Sequence, residues 1–206
     1  EHIRAANPRI IYARGSAWGD KGPEREKGGF DGTAFWSRSG IADCMTPPEL
    51  PGPLSQGMPA FGDSIGGMFI AGGISAALFH REKTGEAAEL DVSLMSTAAW
   101  ASGANIAQVL ETGVVSRNSM PTSGGSAKNP FMGNFWTADK RTINFCMVSP
   151  TGLIRDTFEH VGRPEAADDP RFADVLSLIE NAEAASAILV EAFAQKPFAY
   201  WREHLK

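Results

Sequence analysis

Apolar residues between Ser64 and about Lys83 recur at helical spacing among glycines and alanines, a pattern that predicts a long core helix able to pack closely against its neighbours. The run His80-Arg81-Glu82-Lys83-Thr84-Gly85 closes that helix, with cations at the negative end of its dipole and a glycine as the stop. On either side, Arg9-Ile10-Ile11-Tyr12-Ala13 and Glu89-Leu90-Asp91-Val92-Ser93-Leu94 read as strands, the first a β-branched run after a proline. The first strand empties into a polar loop from Gly19 to Gly29, the kind of place where α/β proteins put their sites. Asp31 to Gly40 predicts a short helix with Phe35 and Trp36 as packing residues, and Cys44 to Pro59, with five prolines, predicts irregular chain. A second long helix is expected over Met95 to Thr112.

Ser116 to Pro130 is rich in Ser, Gly, Asn and Pro and divides the chain into two expected parts, 1–115 and 116–206. In the second, Phe135-Trp136-Thr137 and Thr142 to Val148, joined by Ala138-Asp139-Lys140-Arg141, read as a hairpin. Helical spacing then returns over Thr151 to Val161, Val175 to Phe193 and Phe198 onward. Strands and helices in both parts give an α/β class.

Composition narrows the functions available. At 206 residues, 43% hydrophobic and 21% charged, the chain reads as soluble and globular. Its net charge of −5 comes from 19 basic and 24 acidic residues that are scattered, which gives no footprint for nucleic acid and no polybasic patch for a membrane. The longest apolar run, Met68 to Phe79, is too short to cross a bilayer, and no signal peptide opens the sequence. Cys44 and Cys146 lack metal-ligand spacing and the four histidines never share a motif, so reduced thiols, a cytoplasmic setting and no metal are expected. The sequence starts as if in a helix end and stops inside an amphipathic helix, the expectation for a piece of a longer enzyme. Nucleotide, zinc, dithiol and serine-nucleophile motifs are all missing.

What remains is Asp63, one carboxylate in Met58-Pro59-Ala60-Phe61-Gly62-Asp63-Ser64-Ile65-Gly66-Gly67, at the head of the core helix. Aspartate is a favoured N-cap, so a structural reading is available. A reactive one is available too, because flanking glycines admit a second molecule and free N–H groups at a helix start stabilise developing negative charge.

Taken together, Asn7-Pro8-Arg9-Ile10-Ile11-Tyr12, Gly19…Gly22-Pro23, Gly29-Phe30-Asp31, Ser39-Gly40, Gly62-Asp63…Gly66, His80 to Gly85 and Asp91-Val92-Ser93-Leu94 resemble the family III CoA-transferases. Asn129-Pro130-Phe131, Trp136-Thr137-Ala138-Asp139 and Gly162-Arg163-Pro164-Glu165 carry the likeness through the second part. It implies part of a large Rossmann-like domain followed by a smaller α/β domain, and an interlocked homodimer. It also implies coenzyme A as substrate, an acyl-CoA and a carboxylic acid as reactants, and Asp63 as the nucleophile of an aspartyl-CoA thioester route. Gly62, Gly66 and the helix start are the expected sources of oxyanion donors, and Gly124 and Gly125 stand near the place of a glycine-rich loop that closes over the intermediate. Phe30, Asp31 and Lys27 are the candidate substrate or CoA contacts, Lys27 through a phosphate.

The same family contains acyl-CoA racemases, which need an acid/base on each face of the α-carbon. Racemases carry a His just before the aspartate that matches Asp31, and a Glu before a proline in the small domain. This chain has Phe30 and Ser149 in those places, neither of them a competent proton carrier, which favours transfer over racemisation or epimerisation. A non-catalytic CoA-binding fragment is the alternative of a different class.

Overall fold

The computed structural model describes residues 2–117, 122–126 and 129–205, so residues 118–121 and 127–128 of the expected linker lie outside the described residues. The chain forms two compact units, Glu1–Met120 and Pro121–Lys206. Both mix helix and strand.

The first unit runs α1 (His2–Ala6), β1 (Tyr12–Ser16), a π-helical segment (Asp31–Arg38), α2 (Ile41–Met45), α3 (Phe61–Thr84), β2 (Glu89–Ser93), α4 (Leu94–Ala101) and α5 (Gly103–Thr112). β1 and β2 pair in parallel, with Tyr12 opposite Glu89 and Ser16 opposite Ser93. A parallel pair requires a long crossover, and α3 lies within it. Arg14 and Asp91 face each other in this register, and Arg14 Nε donates to Asp91 Oδ2 at 2.6 Å. That bond lifts the guanidinium pKa above its ordinary value.

β1 starts three residues later than the expected strand. Asn7 Oδ1 accepts the Arg9 N–H, the Asn7 carbonyl accepts the Ile10 N–H, and Arg81 donates to the Arg9 carbonyl, so Asn7 to Ile10 form a turn. The expected long helix over Met95 to Thr112 breaks at Ser102. Its hydroxyl bonds back to the Ala98 carbonyl at 2.7 Å, and Gly103 follows, a pair that weakens continuous helix.

α3 spans 24 residues, well beyond the apolar run Met68 to Phe79, and its length and composition suffice for a bilayer crossing, contrary to the sequence expectation. It is not a buried core helix within this unit, since only Gly62, Gly66 and Ala77 of it are buried. The reason is that the unit packs little besides small side chains: Phe35 is its one large buried apolar residue among the described residues, and its other buried apolar side chains include Ala17, Ala34, Ala42, Ala77 and Ala98. Met68, Phe79, Trp100 and Leu110 remain exposed.

The second unit contains β3 (Gly124–Ser126), β4 (Asn129–Trp136), β5 (Thr142–Cys146), α6 (Ile154–His160), α7 (Pro164–Ala167), a 3₁₀ turn (Pro170–Phe172), α8 (Val175–Glu180), α9 (Ala182–Ala194) and α10 (Phe198–His204). The three strands form an antiparallel sheet in sequence order. Its core is aromatic: Phe131, Phe135, Phe158, Phe172 and Phe193 pack with Leu178, Leu189 and Trp201. Trp201 Nε1 satisfies itself on the Phe193 carbonyl at 3.0 Å. The helix expected over Val175 to Phe193 is broken at Asn181, whose amide bonds to the Ser177 carbonyl at 2.9 Å.

Candidate active site

The carboxyl ends of the parallel strands and the first turn of α3 enclose a cavity of about 330 Å³ lined by Ser16, Asp63, Gly66, Ile70, Val92 and Ser93, among others. Open α/β sheets place ligands in this position because the strand ends and helix N-terminus leave backbone groups free there. Asp63 is exposed to this space, and its carboxylate has no hydrogen-bond or ion-pair partner among the described residues. Ser93 Oγ accepts the Ser96 N–H in the cap of α4 and is thereby committed to structure. Ser16 Oγ accepts the Gly19 N–H at 3.0 Å. Ser93 belongs to the stretch Asp91-Val92-Ser93-Leu94 that carries the resemblance, Ser16 to no quoted motif, and each is the last residue of its strand, the position at which open α/β sheets place ligands.

Asp63 is not the N-cap of its helix. Ala60 caps α3 with a left-handed backbone, φ 56° and ψ 26°, and no side-chain bond. Phe61 is therefore the first helical residue and Asp63 the third. The capping acceptor comes from elsewhere: Asp31 Oδ1 accepts the Gly62 N–H at 3.0 Å, and Gln56 Nε2 donates to Asp31 Oδ2 at 2.6 Å. Asp31 is 7% exposed. Both of its oxygens are engaged by protein donors.

Of the expected oxyanion donors, the helix start has N–H groups that are free among the described residues, and the two glycines do not. The Gly62 N–H is occupied by Asp31, and that of Gly66 lies inside the helical ladder. The N–H of Ser64 is bonded to the Ala60 carbonyl, while those of Phe61 and Asp63 have no acceptor among the described residues. Gly66 lines the cavity, and Gly62 permits a close approach: a methyl group built on it would stand 2.6 Å from Phe35 Cβ, and nearer still to Phe35 Cγ and Asp31 Oδ1.

Of the remaining candidates, Phe30 is 79% exposed beside Gly29, which lines the cavity. Lys27 Nζ is bonded to Glu24 Oε1 at 3.0 Å, and Arg38 shares that carboxylate. These bonds, Lys27 first, hold the Glu24 pKa below its ordinary value. Gly124 and Gly125 belong to the second unit and form strand β3, not an open loop. The Gly125 N–H is pinned to Ser186 Oγ of α9 at 2.8 Å, and the residue lies against Pro130 of β4. Among the described residues no group of three or more His, Cys, Asp or Glu is placed to hold a metal.

Comparison with known proteins matches the geometry to a family. The model for CoA-transferase family III covers residues 1–206. The chain is 31% identical over 204 residues to the acetyl-CoA:oxalate CoA-transferase of Acetobacter aceti, covering 98% of this chain and 50% of that protein. It is 30% identical over 186 residues to the cinnamoyl-CoA:phenyllactate CoA-transferase of Clostridium sporogenes, covering 86% of this chain and 42% of that one. The crystal structure of Rv3272 from M. tuberculosis superposes with a TM-score of 0.79 at 27% identity, over 98% of this chain and 51% of that chain. The chain thus spans about half the length of the relatives it matches. A parallel pair whose strand ends meet a helix start, with a family pattern running from the first residue to the last, makes this chain a member of CoA-transferase family III.

Proposed function

We propose that the protein transfers CoA from an acyl-CoA thioester to a free carboxylic acid, with Asp63 as the covalent nucleophile. The observation that carries this reading is a carboxylate without a partner among the described residues, at a helix start, opening into a cavity at the ends of parallel strands. The Acetobacter aceti and Clostridium sporogenes relatives support the reaction class, since each is named as a CoA-transferase acting with a carboxylic acid.

Four acyl transfers complete the exchange. Asp63 attacks the thioester carbonyl, the C–S bond breaks, and a mixed anhydride and CoA thiolate result. The thiolate attacks the Asp63 carbonyl carbon, releasing the first acid and leaving an aspartyl-CoA thioester. The second acid attacks that thioester to form a new anhydride and thiolate, and the thiolate then takes the new acyl group and frees Asp63. One thioester replaces another, so neither ATP nor a metal is required. Each tetrahedral intermediate places a negative oxygen beside the aspartyl or acyl carbon. The N–H groups of Phe61 and Asp63 and the positive end of the α3 dipole are the donors for it.

Phe30 has no ionisable group with which to exchange an α-proton, which favours transfer over racemisation; it stands as an apolar wall for the substrate. Lys27 reaches a CoA phosphate only by leaving Glu24. The Rossmann-like large domain and the interlocked homodimer belong to the same proposal, and a second chain would cover the exposed apolar face of α3 and α5. Incubation with an acyl-CoA and hydroxylamine, followed by peptide mass spectrometry, tests the nucleophile: a hydroxamate on Asp63 is expected. An unmodified Asp63 peptide during active turnover would overturn the assignment.

A further inference from the structure

The reaction makes no direct use of the buried polar cluster beneath the start of α3. That helix begins without a local capping side chain, and its cap residue, Ala60, occupies a left-handed backbone that residues with a Cβ avoid. Neither feature would persist without support from outside the helix. The support comes from Asp31 and Gln56. Asp31 Oδ1 receives the Gly62 N–H at 3.0 Å, Asp31 Oδ2 receives Gln56 Nε2 at 2.6 Å, and the same nitrogen of Gln56 donates to the Met58 carbonyl at 2.8 Å.

The bonding is matched in chemistry as well as in distance. A carboxylate only accepts, and its two oxygens meet two donors; a primary amide nitrogen has two hydrogens, and both are used. Flipping the Gln56 amide would set its oxygen against the Asp31 carboxylate and the Met58 carbonyl together. One buried carboxylate therefore ties residues 56, 58 and 62 into a single turn, and Asp63 is the next residue along. Because Asp31 sits in the π-helical segment that also carries the fully buried Phe35, the position of Asp63 is referred to that segment and not to the exposed loop before it.

We propose that Asp31 and Gln56 are positioning residues that hold Asp63 in attacking geometry. The inference rests on Asp63 being the nucleophile. A misplacement of about 1 Å at a reacting group costs on the order of 100-fold in rate, so the clamp acts on kcat and leaves acyl-CoA binding alone.

Two substitutions at Gln56 test this in the full chain, chosen because the residue is a half-buried loop position outside the core. Gln56→Leu keeps the bulk and removes both donations; kcat should fall by about 10- to 100-fold with an unchanged KM for acyl-CoA. Gln56→Glu places a carboxyl against Asp31. That like charge raises the pKa of the introduced group, so its kcat relative to the parent should be highest at acidic pH, where its one O–H donates to Asp31 while the donation to Met58 stays lost, and fall as pH rises. Hydrogen exchange at the Gly62 amide should quicken in both variants at neutral pH, a readout that needs no activity. Parental kcat in Gln56→Leu, a raised KM that accounts for the loss, a flat pH ratio, or unchanged Gly62 exchange would each overturn the proposal. If the parent itself forms no aspartyl adduct, the functional reading fails and the positioning role with it, while faster Gly62 exchange in the variants would show the clamp standing on its own.

Discussion

Replacing Gly62 by alanine puts a methyl group where Phe35 and Asp31 already are. The added carbon would lie 2.6 Å from Phe35 Cβ, with Phe35 Cγ and Asp31 Oδ1 closer. Phe35 has no room to withdraw, being fully buried and packed edge-on to Phe61 at a centroid distance of 5.9 Å. Overpacking of a tight site costs about 1–3 kcal/mol, and weakening the bond from the Gly62 N–H to a charged acceptor about 1.5–3 kcal/mol more. Against this stands the better helix propensity of alanine, about 1 kcal/mol. The balance is a destabilisation of about 1.5–5 kcal/mol, opposite in sign to what propensity alone demands. Urea unfolding, followed through first-unit peptides by pulsed hydrogen exchange, would read it as a lower midpoint with an unchanged denaturant slope. A variant as stable as the parent would refute the close approach of α3 to the π-helical segment and the bond that caps it.

Asp63→Ala should abolish transfer while lowering stability by no more than about 1 kcal/mol, since at the third helical position only a dipole interaction is lost; retained turnover would remove Asp63 from the chemistry. Gly125→Ala should destabilise the second unit by about 1–3 kcal/mol, because the new methyl would meet Pro130 Cα at 2.5 Å and the Pro130 carbonyl oxygen closer still, and thermal unfolding of that unit should show it. Asp139 accepts from the Thr137 hydroxyl and from the Phe198 N–H, which together hold its pKa below the ordinary 3.8. Its stabilisation is therefore present above the unfolded-state value and is lost as pH falls through the depressed one. Asp139→Asn should be less stable at neutral pH and decline less steeply under acid, and parallel acid-unfolding curves for the two proteins would contradict this.

Helix α3, strand β2 and the hairpin of β4 and β5 were legible in the sequence because apolar spacing and stop signals such as Gly85 are local. β1 was displaced because its extent is decided by pairing with Glu89 to Ser93 and by the turn at Asn7, which lie far apart in sequence. The helix breaks at Ser102 and Asn181 follow from single side chains bonding back to the preceding turn, a competition that apolar periodicity does not register. Gly124 and Gly125 read as loop by composition, yet they lie in a strand because only glycine lets that strand run so close to Pro130 and Ser186. Gln56 carried no signal of its own: an amide in a proline-rich loop becomes informative only once Asp31 is seen beside it.

The largest change concerns which aspartate does which work at the head of α3. An aspartate at an N-cap turns its side chain back onto the N–H groups of the first turn and is occupied in doing so. A nucleophile in that position would have to break its own cap to react. Here the two tasks fall to different residues. Asp31, buried and 31 positions earlier than Gly62, accepts the helix N–H, and Ala60 takes the cap position with no side chain to compete. Asp63, one residue past the capped amide, keeps its carboxylate free of partners among the described residues while remaining within the first turn, where the dipole favours the charge that develops during attack. The left-handed alanine, the absent side chain at Gly62 and the buried Asp31 are then three parts of one arrangement. Removing any of them should disturb Asp63 without touching it.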